Sequence, residues 1–442
     1  MPDSNKMSLL IDDRPGQTFT IDRRAFTDES IYEAEMKSVF EGTWNFIGLE
    51  RQLPEPHSFF TAHIGRQPVI VSRDANGEIG CFLNSCRHRG MLVCLYKQGN
   101  RKLHVCRYHN WSYDSGGRNR NITFANEGAY GSEFAQLDHD LVPVRLDSYR
   151  GMMFASLNPN VPDLVSHLGD AKVFLDLLID QSPVGQLELI PGGASYAFEG
   201  NWKLQFENGL DVHHFQAVHP SYTEIMAGRV ERGLTGNPVV DDDGLTAQGV
   251  FGFKYGHAVY WQAHARHPWG KPINYNEGYL DSVRARVGKA RAKWMLRSRN
   301  LTIFPNLQIV DVQTAQLRTW RPLSAGRTEM KAHCLAMVGE PAEARRYRMR
   351  AYEHFFDATG LASSDDNMMY ELSQAGYAAE AGRTQGYQRG IGLGPESAES
   401  YARELGIFPA ESIAGPPGTD AEVGMQAGYR EWQRLLSAGL KQ

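Results

Sequence analysis

Nowhere in its 442 residues does the chain hold an apolar run long enough to span a bilayer. The segment from Met1 to Gly16 carries Asp3, Asp12 and Asp13 and has no long apolar stretch, so it does not read as a signal peptide, and a cytoplasmic location is the expectation. Long Lys/Arg clusters are missing and the net charge is −5, which argues against a nucleic-acid binder. Cysteine is scarce. The five residues Cys81, Cys86, Cys94, Cys106 and Cys334 are too few and odd in number for a disulfide framework. There is no internal repeat and no low-complexity tract. What is present is the balance of a folded chain, 42% hydrophobic against 22% charged, over a length that suits two or three domains with large cores.

The hydrophobic period changes along the chain. Residues 27–41 predict a helix capped by Thr27, with Tyr32, Met36, Val39 and Phe40 on one face. Gln67–Arg73 is β-branched and is followed by Asp74-Ala75-Asn76-Gly77, a hairpin signal with its turn at Asn76-Gly77. Lys102–Cys106 reads as a further strand and Ser115-Gly116-Gly117 as a turn. These place a helical segment over 1–41, a β-rich domain over 42–157 and a larger mixed domain over 158–442. In the last, Asn201–His219 predicts a helix, and Leu307–Val312, Ala315–Trp320 and Glu329–Met337 predict antiparallel strands with a turn near Ser324-Ala325-Gly326. Pro341 opens a helix to about Phe356, another starts near Ser363, and Gly415-Pro416-Pro417-Gly418 is a loop before a final amphipathic helix. The class is α+β.

Four of the five cysteines lie between Cys81 and Cys106, and two of them belong to a pattern. Cys86-Arg87-His88 is followed after seventeen residues by Cys106-Arg107-Tyr108-His109, that is C-x-H and then C-x-x-H. Each half offers one thiolate and one imidazole on a tight loop after a strand. Tetrahedral zinc accepts Cys₂His₂ ligands, but its common spacing pairs cysteine with cysteine and histidine with histidine. Mixed pairs are the pattern of a Rieske [2Fe–2S] cluster, in which two thiolates hold one iron and two imidazoles the other. Cys81, Cys94 and Cys334 read as small buried residues, and His104 as structural.

A second constellation lies in Asp211-Val212-His213-His214 and His219-Pro220. Asp211 and His214 are three apart and would share a helix face. The residue before a proline leaves helical geometry, so His219 can turn back toward His214. Two histidines and a carboxylate form the facial triad of mononuclear Fe(II) oxygenases. The distant carboxylate falls in Ser363-Ser364-Asp365-Asp366, where the residues alone do not separate Asp365 from Asp366. They also allow a capping arrangement of Ser363 with Asp366.

With both motifs and a late Asp in order, the chain resembles the Rieske non-haem-iron aromatic-ring-hydroxylating oxygenase large (alpha) subunits. The likeness extends to Ile64-Gly-Arg-Gln-Pro68, Leu168-Gly-Asp-Ala-Lys172, Asn201-Trp-Lys-Leu204 and Glu207-Asn-Gly-Leu-Asp211, and is strongest toward the benzoate, toluate and anthranilate dioxygenases, over roughly residues 20–435. The resemblance implies an N-terminal Rieske β-sandwich domain and a C-terminal helix-grip catalytic domain with an antiparallel sheet. It implies Cys86, His88, Cys106 and His109 as cluster ligands, and His214, His219 and Asp366 as ligands of mononuclear Fe(II). It further implies Asp211 as a carboxylate bridging an iron-binding His to a cluster His of a neighbouring subunit, and Asn208 near the iron. The implied partners are an aromatic carboxylate, O2, and an NADH-dependent flavin/iron–sulfur reductase, in a homotrimer or an α3β3 assembly with a small subunit.

The chain departs from the family pattern in two places: Asn110 follows the second cluster His where Gly or Ala is common, and His213 precedes the first iron His where Tyr is common. His213 is either an extra donor in the pocket or a surface residue; the latter is the expectation. The stretch from His219 to about Pro272 matches poorly. The implied activity is hydroxylation of an aromatic carboxylate to a cis-diol or catechol. The alternative is a salicylate-type monooxygenase with the same metal centres. A Rieske ferredoxin would need only the first domain, and a zinc-stabilised binding module would be colourless.

Overall fold

The computed structural model describes residues 9–125, 130–131, 133–134, 139–233, 246–263, 270–357, 360–379, 381–393, 398–416 and 418–439. Pro417 of the expected loop lies outside them. No described helix is long and apolar enough to cross a membrane. The chain divides into two compact units, Phe40–Leu164, and Met1–Val39 with Val165–Gln442.

The smaller unit is built on a seven-stranded antiparallel sheet. Its strands run, in order across the sheet, Asn45–Leu49, Met152–Ser156, Pro143–Tyr149, Ile79–Leu83, Gln67–Arg73, Ser58–Ile64 and Gln98–Asn100. Successive side chains point to opposite faces. Phe59 and Ile70 therefore join one buried cluster with Cys86, Cys106, Trp111 and Tyr113, while Phe60, Val69 and Val71 join another with Leu53, Cys81 and Met153. The expected hairpin is present. Asp74 Oδ1 accepts from the backbone N–H of Asn76 at 2.8 Å and of Glu78 at 2.9 Å, and Gly77 takes φ 93°, which glycine adopts without strain. A second sheet of three strands, Leu103–Val105, Ser112–Asp114 and Asn119–Asn121, carries the loop Cys106–His109.

In the larger unit a nine-stranded antiparallel sheet is the platform. Across it lie Leu187–Leu189, Arg327–Met337, Ala315–Ser324, Leu307–Asp311, Ser298–Ile303, Ala258–Ala263, Ala247–Gly252 and Glu411–Gly415, with Ala194–Phe198 also pairing Arg327–Met337. Residues 9–39, expected within a helical segment over 1–41, cluster with this unit. Thr18–Asp22 pairs with Thr384–Gly386. Glu35 is fully buried and accepts from Trp202 Nε1 at 2.9 Å and Trp432 Nε1 at 2.7 Å, with Lys203 Nζ at 2.5 Å. A buried carboxylate needs such partners, and they lie on distant parts of the chain. The expected helix over 27–41 is present as Glu29–Glu35 and a π-helical turn Met36–Phe40, with the expected residues buried. Its cap is Asp28, which accepts from Ser30 N, not Thr27, whose hydroxyl donates to Arg23 O.

The expected helix Asn201–His219 is broken. Trp202–Asn208 is helical, a turn follows, and His214–Val218 and Pro220–Glu231 resume. Asp211 Oδ1 accepts from His213 N at 3.0 Å, a local bond that competes with helix formation. Asp211 thus stands in a turn and not on a helix face with His214. His219 leaves helical geometry at φ −115°, ψ 44° before Pro220, as the proline requires.

Candidate functional site

In the smaller unit the two cysteine loops are built alike. Cys86 N donates to Met91 O at 2.8 Å and Gly90 N to Cys86 O at 2.9 Å. Cys106 N donates to Trp111 O at 2.8 Å and Asn110 N to Cys106 O at 2.9 Å. The residue four beyond each cysteine is left-handed, Gly90 at φ 73° and Asn110 at φ 61°. Asn is among the side chains that tolerate this region, so Asn110 fits the loop where glycine is the usual solution. The loops bring His88 Nδ1 to 3.1 Å from His109 Nδ1. Trp111 stacks on His88 with ring centroids 4.9 Å apart. Both thiols are buried, and Cys86 Sγ meets Tyr113 OH at 3.3 Å. Two thiols on one side and two facing imidazole nitrogens on the other fit a cluster of Rieske ligation.

The remaining cysteines are buried and unpaired by disulfides. Burial pushes the Cys81 thiol up to about 12 and Cys334 to about 11, as inert core residues would be. His104 is buried edge-on against Phe59, and burial takes its imidazole down to about 4.

In the larger unit the break after Asn208 delivers His214 and His219 to the start of helix Ser363–Gly376. Asp366 Oδ1 lies 3.5 Å from His214 Nε2 and 3.2 Å from His219 Nε2. One ligand atom from each of the three residues falls within 4.8 Å of the others, and His219 and Asp366 are buried. The capping alternative does not hold: the helix start has no side-chain cap, and Ser363 Oγ donates to Phe356 O. Asp365 meets the same histidine from its other side, Oδ2 lying 3.4 Å from His219 Nδ1. Asp211 Oδ2 stands 3.8 Å from His214 Nδ1. Burial alone would raise the Asp211 carboxyl, but His214 and the His213 N–H draw it below its usual range. Asn208 Nδ2 lies 3.3 Å from His214 Nε2. His213 points elsewhere. Its side chain is 68% exposed and meets Asp420 at 3.4 Å, in keeping with a surface residue. Two imidazoles and one carboxylate, converging and buried, fit a divalent iron with open positions.

The three residues lie on a cavity of about 360 Å³. Its walls mix Phe355, Phe356, Val310 and Val312 with Arg318, Asn300 and Tyr260. Tyr260 Oη and Asn300 Oδ1 are buried there without a hydrogen-bond partner among the described residues. Sequence reasoning missed Asp365 as a second support, and missed Arg318, Tyr260 and Asn300. The sequence carries no signal that singles them out: strands Ser298–Ile303 and Ala315–Ser324 hold several other polar residues beside Asn300 and Arg318.

The chain resembles known proteins over both units. Residues 43–142 match the Rieske [2Fe-2S] domain model, and residues 190–438 match that of the ring hydroxylating alpha subunit (catalytic domain). The chain is 35% identical to the toluate 1,2-dioxygenase subunit alpha of Pseudomonas putida, over 98% of this chain and 94% of that one. It is 36% identical to the anthranilate 1,2-dioxygenase large subunit of Acinetobacter baylyi, over 99% and 93%. Among solved structures, naphthalene 1,2-dioxygenase from Rhodococcus sp. bound to indole superposes with a TM-score of 0.79 at 26% identity, over 95% of this chain and 94% of that one.

Proposed function

The chain belongs to the ring-hydroxylating oxygenase large-subunit family, and from that premise we propose that it is the terminal oxygenase of an aromatic-carboxylate dioxygenase system. Members of this family carry a Rieske [2Fe–2S] cluster and a mononuclear iron and work with a reductase. The observation that carries the reading is the aromatic-sized cavity with His214, His219 and Asp366 on its wall.

In this reading Cys86 and Cys106 hold one iron of the cluster, and His88 and His109 the other. His214, His219 and Asp366 hold the mononuclear iron, which supplies O2 activation when bound. Each histidine is oriented from behind, because a carboxylate on Nδ1 fixes the tautomer that leaves Nε2 free as a donor. Asp211 does this for His214 and Asp365 for His219. Asp211 also links His214 to a cluster histidine of a neighbouring subunit. Asn208 stands beside the iron-binding edge of His214, its amide turning from Nε2 when the metal is bound. Phe355 and Phe356 exclude water and hold the ring of the substrate. The assembly is a homotrimer, alone or with a small subunit as α3β3. It is cytoplasmic and is fed by NADH through a flavin/iron–sulfur reductase.

The reaction consumes the aromatic acid, O2, two electrons and two protons, and yields a cis-diol carrying both oxygen atoms. Labelled O2 tests this with chemically reduced enzyme and anthranilate, benzoate and salicylate in turn. Label in both new oxygens is the expected result. One labelled oxygen reassigns the chain to a monooxygenase. No product from any acid removes the aromatic-carboxylate reading.

A further inference from the structure

Six Lys or Arg residues among the described ones are buried: Lys203, Lys271, Arg297, Arg299, Arg318 and Arg348. Five have a carboxylate within ion-pair distance. Lys203 has Glu35, Lys271 and Arg299 share Asp311, Arg297 has Glu404 and Arg348 has Glu340. Arg318 has none among the described residues. Its partners are neutral: Nη1 donates to Asn208 Oδ1 at 2.9 Å, Nε donates to Gln316 Oε1, and the guanidinium carbon stands 5.6 Å from the centre of the Phe356 ring. Taking a cation out of water without a counter-charge is costly. Among the described residues, four carboxylates serve five of these cations, and the sixth is left without one on the wall of the cavity that holds His214, His219 and Asp366.

We infer that Arg318 anchors the carboxylate of the substrate. This rests on the aromatic-acid reading above. The guanidinium is a planar fork that suits a carboxylate, and arginine keeps its charge at any working pH. Its position also sets which ring carbons react. Arg318 reaches His214 through a single residue, Asn208, whose Oδ1 accepts from the arginine and whose Nδ2 lies 3.3 Å from His214 Nε2. An acid held there keeps its carboxylate-bearing carbon on the side of the triad, so attack falls at that carbon and its neighbour. Asp420 marks another corner of the same cavity, paired with His213 and accepting from Gln248 Nε2 at 2.7 Å. It disfavours the reversed pose, with the carboxylate at that corner.

The test is equilibrium dialysis of metal-loaded enzyme against labelled benzoate and anthranilate, and against the amide of each, for the parent, Arg318→Gln and Arg318→Lys. Iron content and cluster absorbance are measured on the same samples. The expected result is an approximately 100-fold loss of acid affinity in Arg318→Gln, unchanged binding of the amides, and an intermediate value for Arg318→Lys. The inference is overturned if Arg318→Gln binds the acids as the parent does, or loses acids and amides alike, since the second pattern marks a merely structural side chain. A parent that shows no preference for acid over amide overturns the aromatic-acid reading itself and this inference with it.

Discussion

Asp365 and Asp366 are adjacent in the chain and meet His219 on opposite ring nitrogens. That difference assigns them separate tasks. Asp366 faces the Nε2 atoms of both histidines, so Asp366→Asn should leave the protein unable to retain iron through gel filtration. Asp365 faces only Nδ1, so Asp365→Asn should still bind iron, with affinity lower by roughly 10- to 100-fold, the usual effect of losing an orienting partner. Competition with a chelator measures both, and equal losses would sink the distinction. His257 is a second residue with a definite chemical state. Its Nδ1 accepts from Phe304 N at 3.1 Å and its Nε2 donates to His167 O at 3.0 Å, an arrangement only the neutral ring can make. Burial takes its imidazole down to about 4. A depressed folded value contributes stability that is complete above the ordinary histidine range near 6.5 and is lost as pH falls through about 4. Urea midpoints of the parent should therefore drop between pH 6.5 and 4, and those of His257→Gln should drop less over the same window. Parallel pH profiles would refute this account.

Where elements meet, small residues set the spacing. Helix Val423–Gly439 presents Gly428 to helix Trp202–Asn208, and a Cβ there would stand 2.1 Å from Phe206 Cζ. Gly428→Ala ought to gain about 1 kcal/mol of helix propensity. Overpacking instead costs about 1–3 kcal/mol, and Phe206 is buried among aromatic rings, so a net loss is expected by urea denaturation. Phe206 also lies two residues before Asn208, so iron occupancy should fall with stability; a stabilised variant would contradict the packing account. Legibility in the sequence followed this division between local and distant causes. The hairpin at Asp74–Gly77, the strands within Leu307–Met337 and the helix from Ser363 rest on local pattern and were readable. The break at Gly209–His213 was not, because Asp211 acts there through a side-chain bond to the backbone that periodicity does not register. The Cys–His pairs and the pair His214 and His219 stand out because their spacing is short, whereas the distant Asp366 could not be told from Asp365 on the residues alone. Arg318 was not readable, because what sets it apart is a carboxylate it lacks among the described residues, and an absent partner leaves no trace in spacing.

On the scale of the whole molecule, the two sets of proposed metal ligands lie in two compact units, Cys86, His88, Cys106 and His109 in one, His214, His219 and Asp366 in the other. Each unit has its own sheet and its own buried clusters, so losing one centre should not unfold the other. Cys106→Ser should lose the red-brown absorbance yet keep iron and bind benzoate like the parent. His219→Ala should keep a reducible cluster and lose mononuclear iron. Neither should form product alone. Hybrids of the two decide how the centres cooperate. If Asp211 links His214 to a cluster in a neighbouring subunit, as proposed, then an assembly holding both variants contains intact pairs: an intact cluster from His219→Ala beside an intact triad from Cys106→Ser. Co-expression with two different tags, followed by tandem purification, isolates such hybrids. Product from the hybrids, with none from either parent variant, is expected. Inactive hybrids that retain the cluster of the His219→Ala subunits and the iron of the Cys106→Ser subunits would show that electrons pass within one subunit, and would remove the bridging role of Asp211.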